Sequence, residues 1–275
     1  MTGMGAGEHR EAVDQLLARM DDRLADFVRD DDPRQIFLTV YRTMTATMDR
    51  SMPAGVFLDP AWSGALTLRF AEMYFDADQA FECDGACPEP WAVCFRAARE
   101  ERVLVLEHAL LGINAHIMYD LPRAVAETMV AFGDTGPNVD HAAIVARRRF
   151  DFDVVNHLLA LTTDQVQNLL GTKFSRSVKV ADALASRVDE YIAEFFLRYA
   201  RTQGWHSAIA MAFADDDRER EVVRAHLERV ATDYASRIDL TSLVPTRLGK
   251  RLARRYREPL VRAEARRLGR QSSRP

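Results

Sequence analysis

Residues 103–122 read VLVLEHALLGINAHIMYDLP, and the fold follows from how this stretch is read. Between Val103 and Tyr119 only Glu107, His108, Asn114 and His116 are polar, and apolar residues occupy every face of the helix that the pattern predicts. A helix that is apolar all round belongs in the middle of a protein. Buried polar side chains without partners cost roughly 1–3 kcal/mol each, so each of these four needs a physical reason to be there.

Helical geometry sorts them. With Glu107 at zero and about 100° per residue, Asn114 falls at about 340°, His108 at about 100°, His116 at about 180° and Asp120 at about 220°. Glu107 and Asn114 therefore share one face, while His116 and Asp120, four residues apart, converge on the opposite one. His108 lies about 12 Å from His116 along the axis, too far for the two to hold one metal ion. Asp120 sits just before Leu121-Pro122, where a proline is expected to end the helix. A carboxylate at a helix C-terminus opposes the macrodipole, so the pattern predicts a cation beside Asp120, either a metal or an arginine.

A second pair lies in RRRFDFDVVNHLLALT: Asp153 and His157 are again four apart, with Asn156 on the same side. Asp151 points away and is expected to be an exposed first-turn or capping residue. Two helices that each offer a carboxylate and an imidazole one turn apart can build a four-ligand cage in a bundle. Such nitrogen and oxygen donors suit zinc, iron or manganese. The plainer alternative is that each histidine is simply held by its own carboxylate.

Working outward, helical periodicity continues along the whole chain and strand signals are nearly absent. It predicts helices near 8–29, 33–50, 60–80, 90–120, 122–132, 139–147, 151–170, 175–202, 204–214, 217–235 and 246–270. Breaks are marked by Asp31-Asp32-Pro33, Ser51-Met52-Pro53, Asp59-Pro60, the Cys83–Pro90 loop, Gly133–Pro137 and Gly171. The expected architecture is all-α: a single bundle-like domain over 1–245 with a buried central helix, then a basic C-terminal helix and tail over 246–275. From Arg247 onward the chain carries eleven Arg or Lys against two Glu. That segment is expected to be solvated or docked on the acidic remainder, with a partner, a second copy of the chain or anionic lipid as alternatives.

The 275 residues, 48% hydrophobic and 28% charged, are enough for a sizeable core and argue against disorder. A net charge of −4 argues against a general nucleic-acid binder. No apolar run reaches the length of a transmembrane helix, and the N-terminus lacks the pattern of a secretory signal. A cytoplasmic, bacterial protein is the expectation, the latter from the excess of arginine and alanine. Cys83, Cys87 and Cys94 do not form a disulfide framework, and Cys83 with Cys87 is a weak metal motif, so they are read as structural. Trp205 is expected in the core rather than against a ligand with His206, and His9, His141 and His226 at the surface.

Three stretches carry a resemblance: GINAHIMYDLP at 112–122, FLDPAWSGALTLRFAEMYFDA at 57–77 and DFDVVNHLL at 151–159. Together they resemble a mainly actinobacterial family of unknown function, DUF5995, over about residues 35 to 215. The GINAHI-x-x-DLP block is the most specific part, and Met118 stands where that block carries a second asparagine. The resemblance implies an all-helical protein and supplies no reaction. A looser analogy is with the helical zinc phospholipase C and S1 nuclease sites, which also place His-x-x-x-Asp pairs on core helices. The chain departs from them because DLPRAVAETMV has no histidine and the sequence begins MTG rather than with tryptophan.

Four functions remain open on the sequence. The first is a metal-dependent, hydrolase-type enzyme for a small-molecule substrate. His116, Asp120, Asp153 and His157 would be its ligands, and His108, Asn114, Asn156 or Glu107 would assist in proton transfer. The second is a metal-free acid/base enzyme, an isomerase or cyclase acting on a hydrophobic metabolite in an apolar pocket. The third is a non-haem iron oxygenase, and the fourth a non-catalytic binding module. The acidic runs at 29–33 and 214–219 fit helix boundaries better than diphosphate binding.

Overall fold

The central helix is the axis of the structure. In the computed structural model, which describes residues 6–51, 55–100, 105–154 and 201–238, every described residue is helical, turn or loop and none forms a strand. The helices are α1 (Ala6–Arg29), α2 (Gln35–Ser51), α3 (Pro60–Glu82), α4 (Glu89–Ala98), α5 (Val105–Asn114), a π-helix (Ala115–Asp120) and α6 (Leu121–Ala131). They continue as α7 (141–154), α8 (Arg201–Ala212) and α9 (Asp217–Ala235). The run formed by α5, the π-helix and α6 touches α2, α3, α4, α8 and α9, while α1 packs on α2 and α3. Burial follows the sequence pattern: from Ala109 to Pro122 each residue is buried.

Two predicted boundaries shift here. The expected helix 90–120 is two helices, because α4 stops at Ala98 and α5 starts at Val105. The charged run Arg99-Glu100-Glu101-Arg102 interrupts the apolar period between them. The opposite happens at Pro122, which does not end a helix. The backbone widens into a π-turn instead, with the Leu121 amide donating to the His116 carbonyl five residues back. Proline has no N–H to donate, and in a regular α-helix its ring would meet the carbonyl four residues earlier. A π-turn relieves both problems and is a known device at functional positions. Asp120 therefore lies inside a continuous helix and not at a C-terminus.

Helix ends use local chemistry. Asp59 caps α3 by accepting from the Trp62 amide, with Pro60 in the first turn. The chain leaves α6 through a Schellman turn, in which Gly133 adopts φ +74° and the Asp134 amide donates to the Met129 carbonyl at 3.0 Å. Asp31 (φ 52°) and Asp84 (φ 50°) take the same left-handed position after α1 and α3, which aspartate tolerates better than most residues.

Gly112 sets how closely α2 and α5 approach. A Cβ there would lie 2.3 Å from Cδ2 of Phe37, so only glycine lets that ring seat against the helix. Trp205 is buried and packs on Phe152 at 5.1 Å, as its core reading expects, while His206, His141 and His226 are exposed. The side chain of His9, residues 155–170 of the predicted 151–170 helix, most of 175–202 and the basic segment 246–275 lie outside the described residues.

Helix α7 corrects a further expectation. It runs unbroken across 141–154, so no gap separates the predicted helices 139–147 and 151–170. Asp151 is consequently mid-helix and fully buried, not an exposed cap. Its two carboxylate oxygens accept the Leu58 and Asp59 amides at 2.7 and 2.9 Å. One turn earlier, Arg148 is buried and forks onto Asp134 at 2.7 and 2.8 Å while reaching Asp59 at 2.7 Å. This cluster ties α7 to the entry of α3 and to the exit of α6.

Candidate functional site

The π-turn carries a histidine–aspartate pair. Nδ1 of His116 lies 3.0 Å from Oδ2 of Asp120, and both side chains are buried. Because the partner is a carboxylate, Nδ1 carries the proton and Nε2 presents its lone pair. Nε2 is buried and meets no hydrogen-bond partner among the described residues. Oδ2 of Asp120 also accepts the indole N–H of Trp91 at 2.8 Å. Oδ1 is buried without a hydrogen bond among the described residues, and the Arg123 guanidinium lies 3.6 Å from it. Of the two cations predicted beside Asp120, an arginine is present, one turn along the same helix.

Aromatic rings enclose the imidazole. Phe70 stacks on it face to face, with centroids 3.6 Å apart and planes 8° from parallel. Tyr41 approaches edge-on at 4.5 Å, and Phe37 and Trp91 lie at 5.9 and 5.8 Å. These rings come from α2, α3 and α4, so the enclosure is assembled by packing and not by one segment. Phe70 is the half-buried member and therefore the ring of the group nearest solvent.

The electrostatics follow from burial. Loss of water pushes the His116 imidazole below its ordinary value, and the hydrogen bond and charge of Asp120 pull against this without reversing it. Burial, reinforced by the Asp120 charge, holds the Tyr41 phenol above its ordinary range, so it stays protonated. The site at neutral pH is a neutral imidazole between an anion and an apolar wall.

The other predicted residues divide clearly. Asn114 is buried on the far side of the helix, where its amide nitrogen donates to the Ala231 carbonyl of α9 at 2.8 Å. His108 and Glu107 are buried on α5. Asp153 does not join the pair: its carboxylate is exposed and bonds Arg149 at 2.8 Å. The reason is the α7 register, since a helix that turns Arg148 and Asp151 inward turns Asp153 to solvent. Asn156 and His157 lie outside the described residues. Among the described residues, no group of three or more His, Cys, Asp or Glu side chains is placed to hold a metal ion. Cys83 is exposed, Cys87 half-buried and Cys94 buried, and burial raises the Cys87 and Cys94 thiols to about 11 and about 12.

Sequence reasoning missed the walls of the site. Trp91, Phe37, Tyr41 and Phe70 read as ordinary core positions at helical spacing, and nothing local distinguishes them. One signal was available for Trp91, because a buried indole N–H generally finds an acceptor, and the only question is which one.

A family model described as a family of unknown function, DUF5995, matches residues 13–240. No curated protein and no solved structure matches the chain. No helix among the described residues is long and apolar enough to cross a membrane.

Proposed function

We propose, from the premise that this chain belongs to the DUF5995 family of unknown function, that it is an acid/base enzyme working through His116. The observation that carries the reading is the buried Nε2 lone pair of His116, left without a partner among the described residues while Nδ1 is committed to Asp120. An unsatisfied buried acceptor costs roughly 1–3 kcal/mol, and a ligand that supplies a proton there recovers it. The π-turn that carries both residues, a local departure from regular helix, favours the same reading.

The chemistry is proton transfer. A substrate C–H or O–H gives its proton to Nε2, and the imidazolium that forms is stabilised by the Asp120 carboxylate. Returning that proton to a different atom of the substrate completes an isomerisation, with no net change in atoms or electrons. Burial keeps His116 neutral at pH 7, as a base must be. The apolar walls favour an uncharged, hydrophobic small molecule, and Phe70 is the ring such a molecule displaces on entry.

The test is metabolite consumption. The protein is incubated with a bacterial metabolite extract, and pools are compared after treatment with wild type, His116→Gln and Asp120→Asn. The expected result is a hydrophobic compound converted by wild type and spared by both folded variants. Identical pools in all three samples overturn the reading.

A second reading, metal-dependent hydrolysis, draws on one feature. Metal-bound histidines commonly donate their other ring N–H to a carboxylate, as His116 does to Asp120. In that case Nε2 is the ligand atom. Elemental analysis separates the two: near-stoichiometric zinc, iron or manganese, lost in His116→Ala, transfers the assignment to the metal enzyme.

A further inference from the structure

Trp91 stands apart from the other aromatic residues around His116 because it acts on the pair through a hydrogen bond. Its indole N–H meets the same oxygen, Oδ2 of Asp120, that accepts from His116. Rotating the carboxylate would break both bonds at once. The indole itself is fully buried and held among Phe37, Tyr74 and Phe95, with ring centroids at 5.2, 5.3 and 5.2 Å. Its N–H direction is therefore set by packing. Trp62 provides the contrast: it is equally buried, yet its Nε1 has no partner among the described residues. A buried indole in this core is not automatically paired, so the Trp91 bond is a specific feature.

We propose that Trp91 is a positioning residue for His116, fixing the tautomer of the imidazole through Asp120. Two donors on one oxygen hold the carboxylate in the orientation that keeps the proton on Nδ1 and the lone pair on Nε2. The importance of this arrangement for catalysis rests on the function proposed above, but the arrangement itself is a property of the ligand-free protein.

The test therefore reads His116 directly and needs no substrate. The ring nitrogens are observed by ¹⁵N NMR at neutral pH in the ligand-free full chain, for wild type, Trp91→Phe and Trp62→Phe. A fourth sample carries 3-benzothienylalanine at position 91, which fills the indole volume without the N–H and serves where the phenylalanine variant does not fold. In wild type we expect one tautomer, with the proton on Nδ1. Without the Trp91 N–H the carboxylate is free to turn, and the two nitrogen shifts move towards each other as tautomers mix. Trp62→Phe, which removes an indole but no bond to Asp120, leaves both unchanged. Unchanged His116 shifts on loss of the Trp91 donor overturn the inference, as does an equal response in Trp62→Phe, which marks mere loosening of the core. A confirmed tautomer effect alongside unaltered metabolite pools would separate the two claims, leaving this one standing and removing the catalytic reading.

Discussion

Two buried polar clusters, both built from the most distinctive stretches of the sequence, are put together on opposite principles. Around Arg148 every charged group is matched: the guanidinium forks onto Asp134, reaches Asp59 and lies over the Trp62 ring at 5.1 Å, while Asp151 takes two backbone amides. None of the four charged side chains has a buried atom without a partner. Around His116 the matching is incomplete, with Nε2 of His116 and Oδ1 of Asp120 both buried and unsatisfied. A saturated network holds three chain segments in place and has nothing left to offer a ligand. An unsaturated one, enclosed by aromatic rings, has an acceptor to offer. Burial and charge are common to both clusters, so what separates candidate site from scaffold is leftover valence on a titratable side chain together with its aromatic enclosure.

The comparison can be broken first at Arg148. Arg148→Met leaves Asp134 buried without its cation, and removing one partner of a buried pair costs about 3–5 kcal/mol. Urea denaturation is expected to show that loss, while the His116 tautomer in the remaining folded fraction stays as in wild type. A loss below about 1 kcal/mol would mean that the cluster does not hold the fold.

Gly112→Ala probes the packing that encloses His116. Its Cβ would overlap Phe37 as far back as that residue's own Cβ, at 2.8 Å, so the ring cannot simply swing away. Overpacking of this kind costs about 1–3 kcal/mol, measured as a lower thermal midpoint.

pH separates the clusters by sign and by window. His116 has a folded pKa below its unfolded value of 6.5. The unfolded chain therefore binds more protons just below pH 6.5, and stability falls as pH drops from there towards the folded pKa. The slope reaches at most about 1.4 kcal/mol per pH unit. In Asp59, burial pushes the carboxyl up, but the bonds from Arg148 and the Trp62 amide outweigh it and hold the group below 3.8. Its contribution is present above that pH and is lost only as pH falls through the lower folded value. His116→Gln is expected to flatten the stability profile just below pH 6.5 and leave the more acidic limb, set by Asp59, unchanged. A profile that keeps its slope there assigns the transition to another group.

The smallest effect belongs to Asn114. Asn114→Ala removes one neutral hydrogen bond to the Ala231 carbonyl, and a loss of about 1 kcal/mol by denaturation is expected, with metabolite pools unaltered. A change in those pools would bring Asn114 back into the site.

Much of this was legible in the residues. An all-apolar surround around four polar side chains identified a buried helix, and a spacing of four identified the His116–Asp120 contact, because helical periodicity is local and survives in any tertiary setting. The same reasoning failed at Asp151 and Asp153, where a helix start misplaced by ten residues reversed which carboxylate faces inward. It also failed at Pro122, since a π-turn and a helix end have the same one-dimensional signature. The sequence by itself determined the helical class, the central helix and the pairing of residues four apart. Only tertiary structure decided what that pair means: Trp91 from α4, Tyr41 and Phe37 from α2 and Phe70 from α3 converge on His116 across separations of 25 to 79 residues. Periodicity along one helix says which way a side chain points, but what it meets there depends on the register of other helices, which is set by the packing of the whole core.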